Sequence, residues 1–489
     1  MPGFVELVER RGAVAVPLLI LVAALAIHAP RLDRPFGPGL ASAAASYQIL
    51  FARHWDEAGF LALNGVPCVG PSGGTLSERH PYLHHPVLSY WMAYGVRLLA
   101  GWDEWVFRLL PFLGTVTSAL LLGAITRRLL GSLAALLAGW IFLLTPMVFV
   151  FGDMPNPETL VLASLLGGWL LHERVRERPT RGRKLLFFAV AGIGMLIDWQ
   201  AHFLVLALLA GEWLRPQHER RWREAVLLLP LSALAVLLLG AWGAAALGSV
   251  EALMEHVGAA ARTPLVDGAA SIGTFLFAQG RALLATMGWP LVLAGVVVLA
   301  AALTGRAGAP RLRAAALLLV PALVSVLLFR GPAFDHPFWW MPATGFFAFS
   351  GAWLLGRLLD ARPFAGVLVT AALCGSLALI SFAQQRVVDP PGEHFRNIGL
   401  LVNRFSAPGD IIITPESFGP ALFYTERRIY ENLSTVPAIE SINAEATPRP
   451  VHVAMLLASA PAHRALIAWL DAHGARTPHP GVLHWTLRR

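Results

Sequence analysis

Four short runs of this sequence gather the residue types that hold protons, metals and phosphates. The first is Glu78-Arg79-His80-Pro81-Tyr82-Leu83-His84-His85-Pro86, with three histidines in six positions. Such a run suits a phosphate, or a divalent metal taking His or carboxylate ligands at about 2.0–2.2 Å. It equally suits a polar turn before a helix, with Pro86 at the first helical position. The second run, Gly152-Asp153-Met154-Pro155-Asn156-Pro157-Glu158, sets two carboxylates five positions apart. Paired acids at a membrane surface suit a general base or a metal ligand. Cap chemistry accounts for Asn156, Pro157 and the acid at a helix N-terminus, and leaves Asp153 over. The third run is Asp198-Trp199-Gln200-Ala201-His202 and the fourth Phe334-Asp335-His336-Pro337-Phe338-Trp339-Trp340. Either alone reads as an aromatic belt with incidental polar neighbours. Four on one side of the chain predict a shared polar cavity, in which His84, His85 and His336 form a candidate metal set. Arg97, Asp103, Glu104 and Arg108 fall near the same face, and arginine's planar fork suits phosphate.

The elements that must hold these runs are membrane helices. Of 489 residues, 56% are hydrophobic and only 14% charged, against about a quarter charged in soluble domains. The apolar residues come in blocks such as 13–29, 116–125, 134–151 and 225–247. About 20 such residues in a helix cross about 30 Å of hydrocarbon, and a buried soluble helix explains one block but not a series. The net charge of +8 sits in arginine clusters between the blocks, which is membrane topology and not a nucleic-acid surface. The first block follows Glu9, Arg10 and Arg11 without a small-residue cleavage site after it, and reads as an uncleaved span. Cys68 lies in a polar loop and Cys374 in an apolar run, so no disulfide framework or thiolate metal site is implied.

Basic clusters at 10–11, 127–128, 174–184, 215–223, 306–313 and 357–362 alternate with loops rich in His, Asp, Trp, Gly and Pro. The positive-inside rule places the basic set in the cytoplasm. Spans are predicted near 12–30, 106–127, 132–151, 157–173, 184–198, 200–214, 225–247, 284–304, 314–330, 339–356 and 364–383, about eleven in all. The N-terminus is then inside and the C-terminus outside, with the pair around 198–200 readable as one broken span. The expected architecture is an α-helical polytopic membrane domain over 1–385 and a small outer α/β domain over 386–489. The first outer segment, 31–103, carries two amphipathic patterns that suit helices in the interface. One puts Tyr47, Leu50, Phe51 and Trp55 on a face, the other Leu88, Trp91, Met92 and Leu99. The tail reads helix 395–405, strand 410–414, helix 419–424, strand 451–457, helix 462–473 and strand 482–487, an alternation typical of α/β layers.

The chain resembles the GT-C superfamily of polyprenyl-phosphate-dependent glycosyltransferases, nearest to family 39, which includes the protein O-mannosyltransferases and the lipid A aminoarabinose transferases. The resemblance covers roughly the first 385 residues and is best over 52–171. Ala52-Arg53, then Gly59, then Asn64-Gly65-Val66-Pro67 are similar to the family's first outer loop. His85-Pro86 followed by Ser89-Tyr90-Trp91 looks like its Lys-Pro-Pro with a downstream Tyr-Trp. Glu104, Arg108 and Pro111 match the approach to its second span. Pro157-Glu158 falls where the family has an acid after its third span, and Asp335-His336-Pro337 resembles its late outer loop.

The resemblance implies sugar transfer at the outer face from a polyprenyl phosphate to an acceptor hydroxyl, deprotonated by a first-loop carboxylate. The chain departs from that pattern at the family's Asp-Glu positions, which are Ala44 and Ala45, and the nearest acids are Asp56 and Glu57. The phosphate-binding Lys position is His85. The base is therefore sought at Asp153 or Glu158, then Asp56 or Glu57. His85, Arg97 and Arg108 are assigned to the donor phosphate. His80, Tyr82, His84, Glu104, Asp198, His202, Asp335 and His336 are assigned to the polar cavity. Membrane lipids and a lipid-linked sugar are the implied partners, nucleic acid is not, and a divalent metal is an open cofactor. The arginine-rich, lysine-poor composition suggests a bacterium, whose cytoplasmic membrane is the expected location. The rivals are a transporter or flippase, against which no internal hydropathy repeat is seen, and a non-catalytic relative.

Overall fold

The computed structural model describes residues 2–37, 39–70, 80–261, 271–304, 308–388, 393–415, 423–425, 427–430, 433–446, 449–479 and 482–487. The expected helix at 419–424 and the first two residues of the histidine run, Glu78 and Arg79, lie wholly or mostly outside them. The chain divides into two compact units.

The first unit comprises 1–33, 83–96 and 108–388. Its helices are α1 (Pro2–His28), parts of α3 (Leu88–Ala100) and α4 (Glu104–Leu130), α5 (Ser132–Leu144), α6 (Pro146–Phe151), α7 (Glu158–Glu177), α8 (Arg181–Ile197), α9 (Leu204–Trp213) and α10 (Trp222–Leu247). They continue with α11 (Val250–Ala261), α12 (Ile272–Met287), α13 (Trp289–Leu303), α14 (Ala309–Ala316), α15 (Val320–Leu328), α16 (Arg330–Asp335), α17 (Thr344–Ala361) and α18 (Pro363–Val388). Helix α1 docks on α5 by pressing Ile20 into the space Gly139 leaves, where a Cβ would come within 2.5 Å. Small residues of this kind let membrane helices approach closely.

Among the described residues, five helical segments are long and apolar enough to cross a membrane: Arg11–Arg31, Glu104–Leu130, Trp222–Leu247, Ala309–Leu328 and Pro363–Val388. A sixth span is available if α12 and α13, bent by 108°, count as one. The chain is an integral membrane protein. The other expected spans fall on helices that are short or broken or that, like the 20-residue α7, carry several charges. The block at 132–151 breaks between α5 and α6 at Thr145-Pro146, where Pro146 opens the next helix. The tight stretch at 198–200 is a 3₁₀ turn, Trp199–Phe203, between α8 and α9. Another 3₁₀ turn, Pro337–Ala343, precedes α17. At membrane depth, broken helices are tolerated where protein or a cavity receives the freed backbone groups. The breaks at 199–203 and 337–343 coincide with two of the polar runs picked out by composition.

The second unit comprises 34–82, 97–107 and 389–489, so segments of the first outer loop cluster compactly with the tail. Helix α2 (Leu40–Ala58) stops at Gly59, whose φ of 93° is inaccessible to most side chains. Its buried face carries Phe51 and Trp55, whereas Tyr47 is 48% exposed. Trp55 Nε1 donates to the Val66 carbonyl at 2.9 Å, and His54 Nδ1 lies 2.9 Å from the Cys68 carbonyl. These bonds tie α2 to a short antiparallel pair, β1 (Cys68–Val69) and β2 (His80–Pro81). In α3, Leu99 of the predicted lipid face is 91% exposed, and Tyr90 and Tyr94 on the neighbouring face are buried.

The tail holds a five-stranded sheet in the order β4 (Arg428–Tyr430), β3 (Ile411–Ile413), β5 (Val451–Leu456), β7 (Val482–Leu487), β6 (Gly474–His479). The first three strands run parallel, and β5, β7 and β6 pair antiparallel. Successive strand residues face opposite sides, so Ile411, Ile413, Val453 and Trp485 pack with α20 (Val436–Glu445) and α21 (Arg464–His473). Ile412 and Ala454 face α19 (His394–Phe405), which presents Phe395, Ile398 and Val402.

Candidate active site

The site lies in the first unit, where three of the four polar runs and the end of the other converge. Between α6 and α7 the chain turns over residues 152–157. A Cβ on Gly152 would sit 2.3 Å from the Val148 carbonyl and 3.0 Å from Thr115 Oγ1. Thr115 Oγ1 donates to the Gly152 carbonyl at 2.6 Å, so the turn is pressed against α4. Asp153 follows, 1% exposed, with Oδ1 3.0 Å from Arg31 Nη2. Arg31 also donates to the Phe149 carbonyl and lies over the Phe149 ring at 4.9 Å. His28, one turn earlier on α1, is fully buried with its ring 6.4 Å from Phe149.

Glu158, the first residue of α7, is 5% exposed, and its Oε1 accepts from Asn156 Nδ2 at 3.0 Å. It makes no ion pair among the described residues. The Asp198 carboxylate is near enough to repel it. Asp198 ends α8 and caps the following 3₁₀ turn, Oδ1 accepting from the Gln200 amide at 3.0 Å. Its Oδ2 sits 2.9 Å from His85 Nδ1. Nδ1 therefore carries the shared hydrogen, which fixes the ring's orientation. The neighbouring Trp199 Nε1 donates to the His84 carbonyl at 2.8 Å, so two bonds hold residues 84–85 against the α8–α9 break.

The fourth run closes the group. The Trp339 ring centroid is 6.4 Å from that of His85, and Phe338 packs edge-on against Phe151 at 5.7 Å. Trp340 Nε1 donates to Gln279 Oε1 at 2.9 Å, and Gln279 Nε2 donates to the Ala333 carbonyl at 2.7 Å, which anchors this turn to α12. His336 stacks on Phe338 at 5.1 Å. Asp335 closes α16. His202 turns away, with Nδ1 2.8 Å from Ser232 Oγ and Nε2 3.1 Å from the Met195 carbonyl, and so ties α8 to α10. Arg108 is 1% exposed on α4.

Among the described residues, no group of three or more His, Cys, Asp or Glu side chains is placed to hold a metal ion. Of the candidate set, His84 lies beside His256 at 5.1 Å, His85 engages Asp198, and His336 is stacked on a phenyl ring. Among the described residues, the three candidate histidines thus have separate neighbours and do not converge on one point.

The remaining candidates belong to the second unit. Asp56 Oδ2 lies 2.6 Å from Arg97 Nη2 and accepts from Trp102 Nε1 at 3.2 Å. Arg97 in turn lies 5.0 Å from the centre of the Trp102 ring. One proposed base and one proposed phosphate ligand thus neutralise each other. Glu57 is exposed. Tyr82 packs against Tyr47 and Phe51 at 5.4 and 5.2 Å, and His80 lies in β2 opposite Val69. Glu104 Oε1 accepts from Tyr424 Oη at 3.1 Å, and that hydroxyl accepts from the Phe36 amide at 2.9 Å. These are framework contacts of the second unit.

A family model described as dolichyl-phosphate-mannose-protein mannosyltransferase matches residues 84–242. The apo oligosaccharyltransferase of Archaeoglobus fulgidus superposes over 97% of this chain and 74% of its own, with a TM-score of 0.59 at 10% identity. The apo ArnT of Cupriavidus metallidurans aligns over 99% of this chain and 98% of its own, with a TM-score of 0.47 at 15% identity. No curated protein matches the chain. The likeness to the archaeal oligosaccharyltransferase is one of fold.

The stretch matched by the family model contains His85, Asp153, Glu158 and Asp198. At the positions where the resemblance expects an Asp-Glu pair, Ala45 is fully buried in α2. Arg31 and His28 were not singled out by motif. Arg31 did leave a signal, because it is an arginine on the predicted outer end of a span, against the positive-inside pattern. Its position only gains meaning once Asp153, 122 residues later, lies beside it.

Proposed function

We propose that this chain is a glycosyltransferase that moves a sugar from a polyprenyl-phosphate donor to an acceptor hydroxyl at the outer membrane face. The observation that carries the reading is Glu158, a buried acid without an ion pair among the described residues, facing Asp198 and the His85 it orients. Buried, uncompensated acids near hydrocarbon are costly and mark working sites. The family model matched over 84–242 is named for a lipid-phosphate-sugar donor and covers all three residues. The remaining short helices are read as further spans around this cavity, about eleven in total.

In the proposed reaction the acceptor oxygen attacks the sugar's anomeric carbon from the face opposite the phosphate. The new C–O bond forms as the bond to the phosphate oxygen breaks, the electron pair leaves with the polyprenyl phosphate, and the anomeric configuration inverts. Glu158 accepts the acceptor's proton. His85, oriented and charge-supported by Asp198, and Arg108 meet the leaving phosphate. Asp153 is locked to Arg31 and shapes the turn that presents Glu158. The Asp56–Arg97 pair is assigned a framework role.

The test is incubation of the purified protein with radiolabelled polyprenyl-phosphate hexose and an envelope extract as acceptor source. Label leaving the lipid, with release of polyprenyl phosphate, supports the transferase. Lipid that remains intact, with labelled solute crossing a liposome wall, would instead establish a transporter. Neither product nor substrate-dependent stabilisation points to a non-catalytic relative.

A further inference from the structure

The tail sheet carries a second titratable group that the proposed reaction does not use. On β5 and β7, His452 and His484 sit two residue pairs apart in register and so on one face, since His452 opposes Thr486 and Ala454 opposes His484. Both side chains point to the α19 face, and they are 6% and 4% exposed. They form a string with an acid: Asp410 Oδ2 lies 3.3 Å from His452 Nε2, and His452 Nδ1 lies 3.0 Å from His484 Nε2. With Asp410 ionised, each contact is satisfied by neutral rings, His452 donating to the carboxylate and His484 donating to His452. Phe405, the last residue of α19, stacks on His484 at 3.8 Å and 19°, and on His479 of β6 at 5.4 Å and 25°. The end of α19 thus rests on three histidines.

We propose that this contact is an acid-released latch, in which α19 is held on the tail sheet at neutral pH and freed when the histidine floor gains protons. A proton on His484 must go to Nδ1, a buried atom with no hydrogen-bond acceptor among the described residues. A second charge on His452 would then lie against the first. His479 adds a third titratable ring beside them. Against these, Asp410 is the carboxylate in the string, and it also accepts from the Ala407 amide at 2.6 Å. Two cations also lie at this helix end: Arg404, exposed in the last turn of α19, and Arg427, which donates to Ser406 Oγ at 2.9 Å and to the Ser406 carbonyl at 2.7 Å. The floor is therefore intolerant of added positive charge.

Burial lowers the pKa of His484 from 6.5 to about 4, with His452 and His479 adding repulsion. Burial also lowers that of His452, opposed by Asp410. A histidine whose folded value is depressed binds more protons when released. Its contribution is therefore complete above about pH 6.5 and is lost as pH falls toward 4. At pH 5, His484 alone shifts the docked-to-released ratio by about 30-fold.

Hydrogen exchange on the full chain in nanodiscs, corrected for intrinsic rates, reads this directly. Residues 394–405 should lose protection by about 30-fold or more between pH 7.5 and 5, while the helices of the first unit do not. His484→Phe keeps a ring against Phe405 without a titrating nitrogen and should flatten the profile. Asp410→Asn should move the loss to higher pH. Protection of 394–405 that stays level to pH 5 overturns the latch, as does a loss that persists unchanged in folded His484→Phe. If that variant does not fold, the wild-type profile decides by whether the loss lies between pH 4 and 6.5 and is confined to α19.

Discussion

The first unit contains two dense polar groups whose composition is opposite in kind. Around His85, the carboxylates of Asp153, Glu158 and Asp198 meet Arg31, an amide and an imidazole. Around His172, arginines thread every acid. Arg176 Nε lies 2.8 Å from Glu212 Oε1, Arg128 Nη1 lies 2.7 Å from Glu177 Oε1, and Arg215 bonds Glu173 at 2.5 Å. The Arg221 amide donates to Glu212 Oε2 at 2.6 Å, and Glu212 is fully buried. This second group borders a cavity of about 310 Å³ on the predicted cytoplasmic side, yet its acids are matched by cations. Matched ion pairs hold helix ends together, whereas an acid left without a cation retains the capacity to take up a proton. Charge imbalance, more than charge density or cavity size, separates the proposed working group from the ion-paired one.

The sharpest break in that comparison is Glu158→Gln, which keeps the Asn156 contact region and removes the base. Turnover of lipid-linked sugar should fall by about 10²–10⁴-fold with the melting temperature little changed. Wild-type turnover in this variant would move the base to Asp153. Next, Arg31→Ala leaves the Asp153 carboxylate buried without its ion-pair partner, and should cost about 3–5 kcal/mol in denaturant unfolding. Glu212→Ala on the opposite group should destabilise by a similar amount, because Arg176 loses its acid. Specific activity per folded molecule should then remain intact. Loss of chemistry there would erase the distinction between the two groups. His85→Lys should preserve transfer while His85→Ala raises the donor KM, since a cation and not an imidazole is what the phosphate requires. The smallest effect is Gly152→Ala, about 1–3 kcal/mol of overpacking against Val148 and Thr115, seen as a lower melting temperature and a partial loss of rate.

Much of the fold was legible because hydrophobic length and helical period are local properties. The helix expected at 395–405 and the strand expected at 482–487 are present as α19 and β7. The span count was less legible, because Pro146 breaks the apolar block at 132–151 that composition alone reads as continuous. Strands β4 and β6 went unread, since exposed Arg476, Thr477 and Pro478 carry no alternation of apolar residues. At the site, Asp153, Glu158, His85 and Asp198 were found as polar residues in apolar surroundings. Asp56 and Arg97 looked equally suited by type, and only their 2.6 Å pairing assigned them to the framework.

By itself, the amino-acid sequence determined that this chain lives in lipid and that its polar residues cluster at the ends of helices. It did so because the cost of a charge in hydrocarbon is paid residue by residue and is visible in one dimension. Which acid faces which cation was decided by tertiary structure alone. Arg31 and Asp153 are 122 positions apart, and His85 and Asp198 are 113 apart. Coulomb energy depends on separation in space, which the order of residues along the chain does not contain.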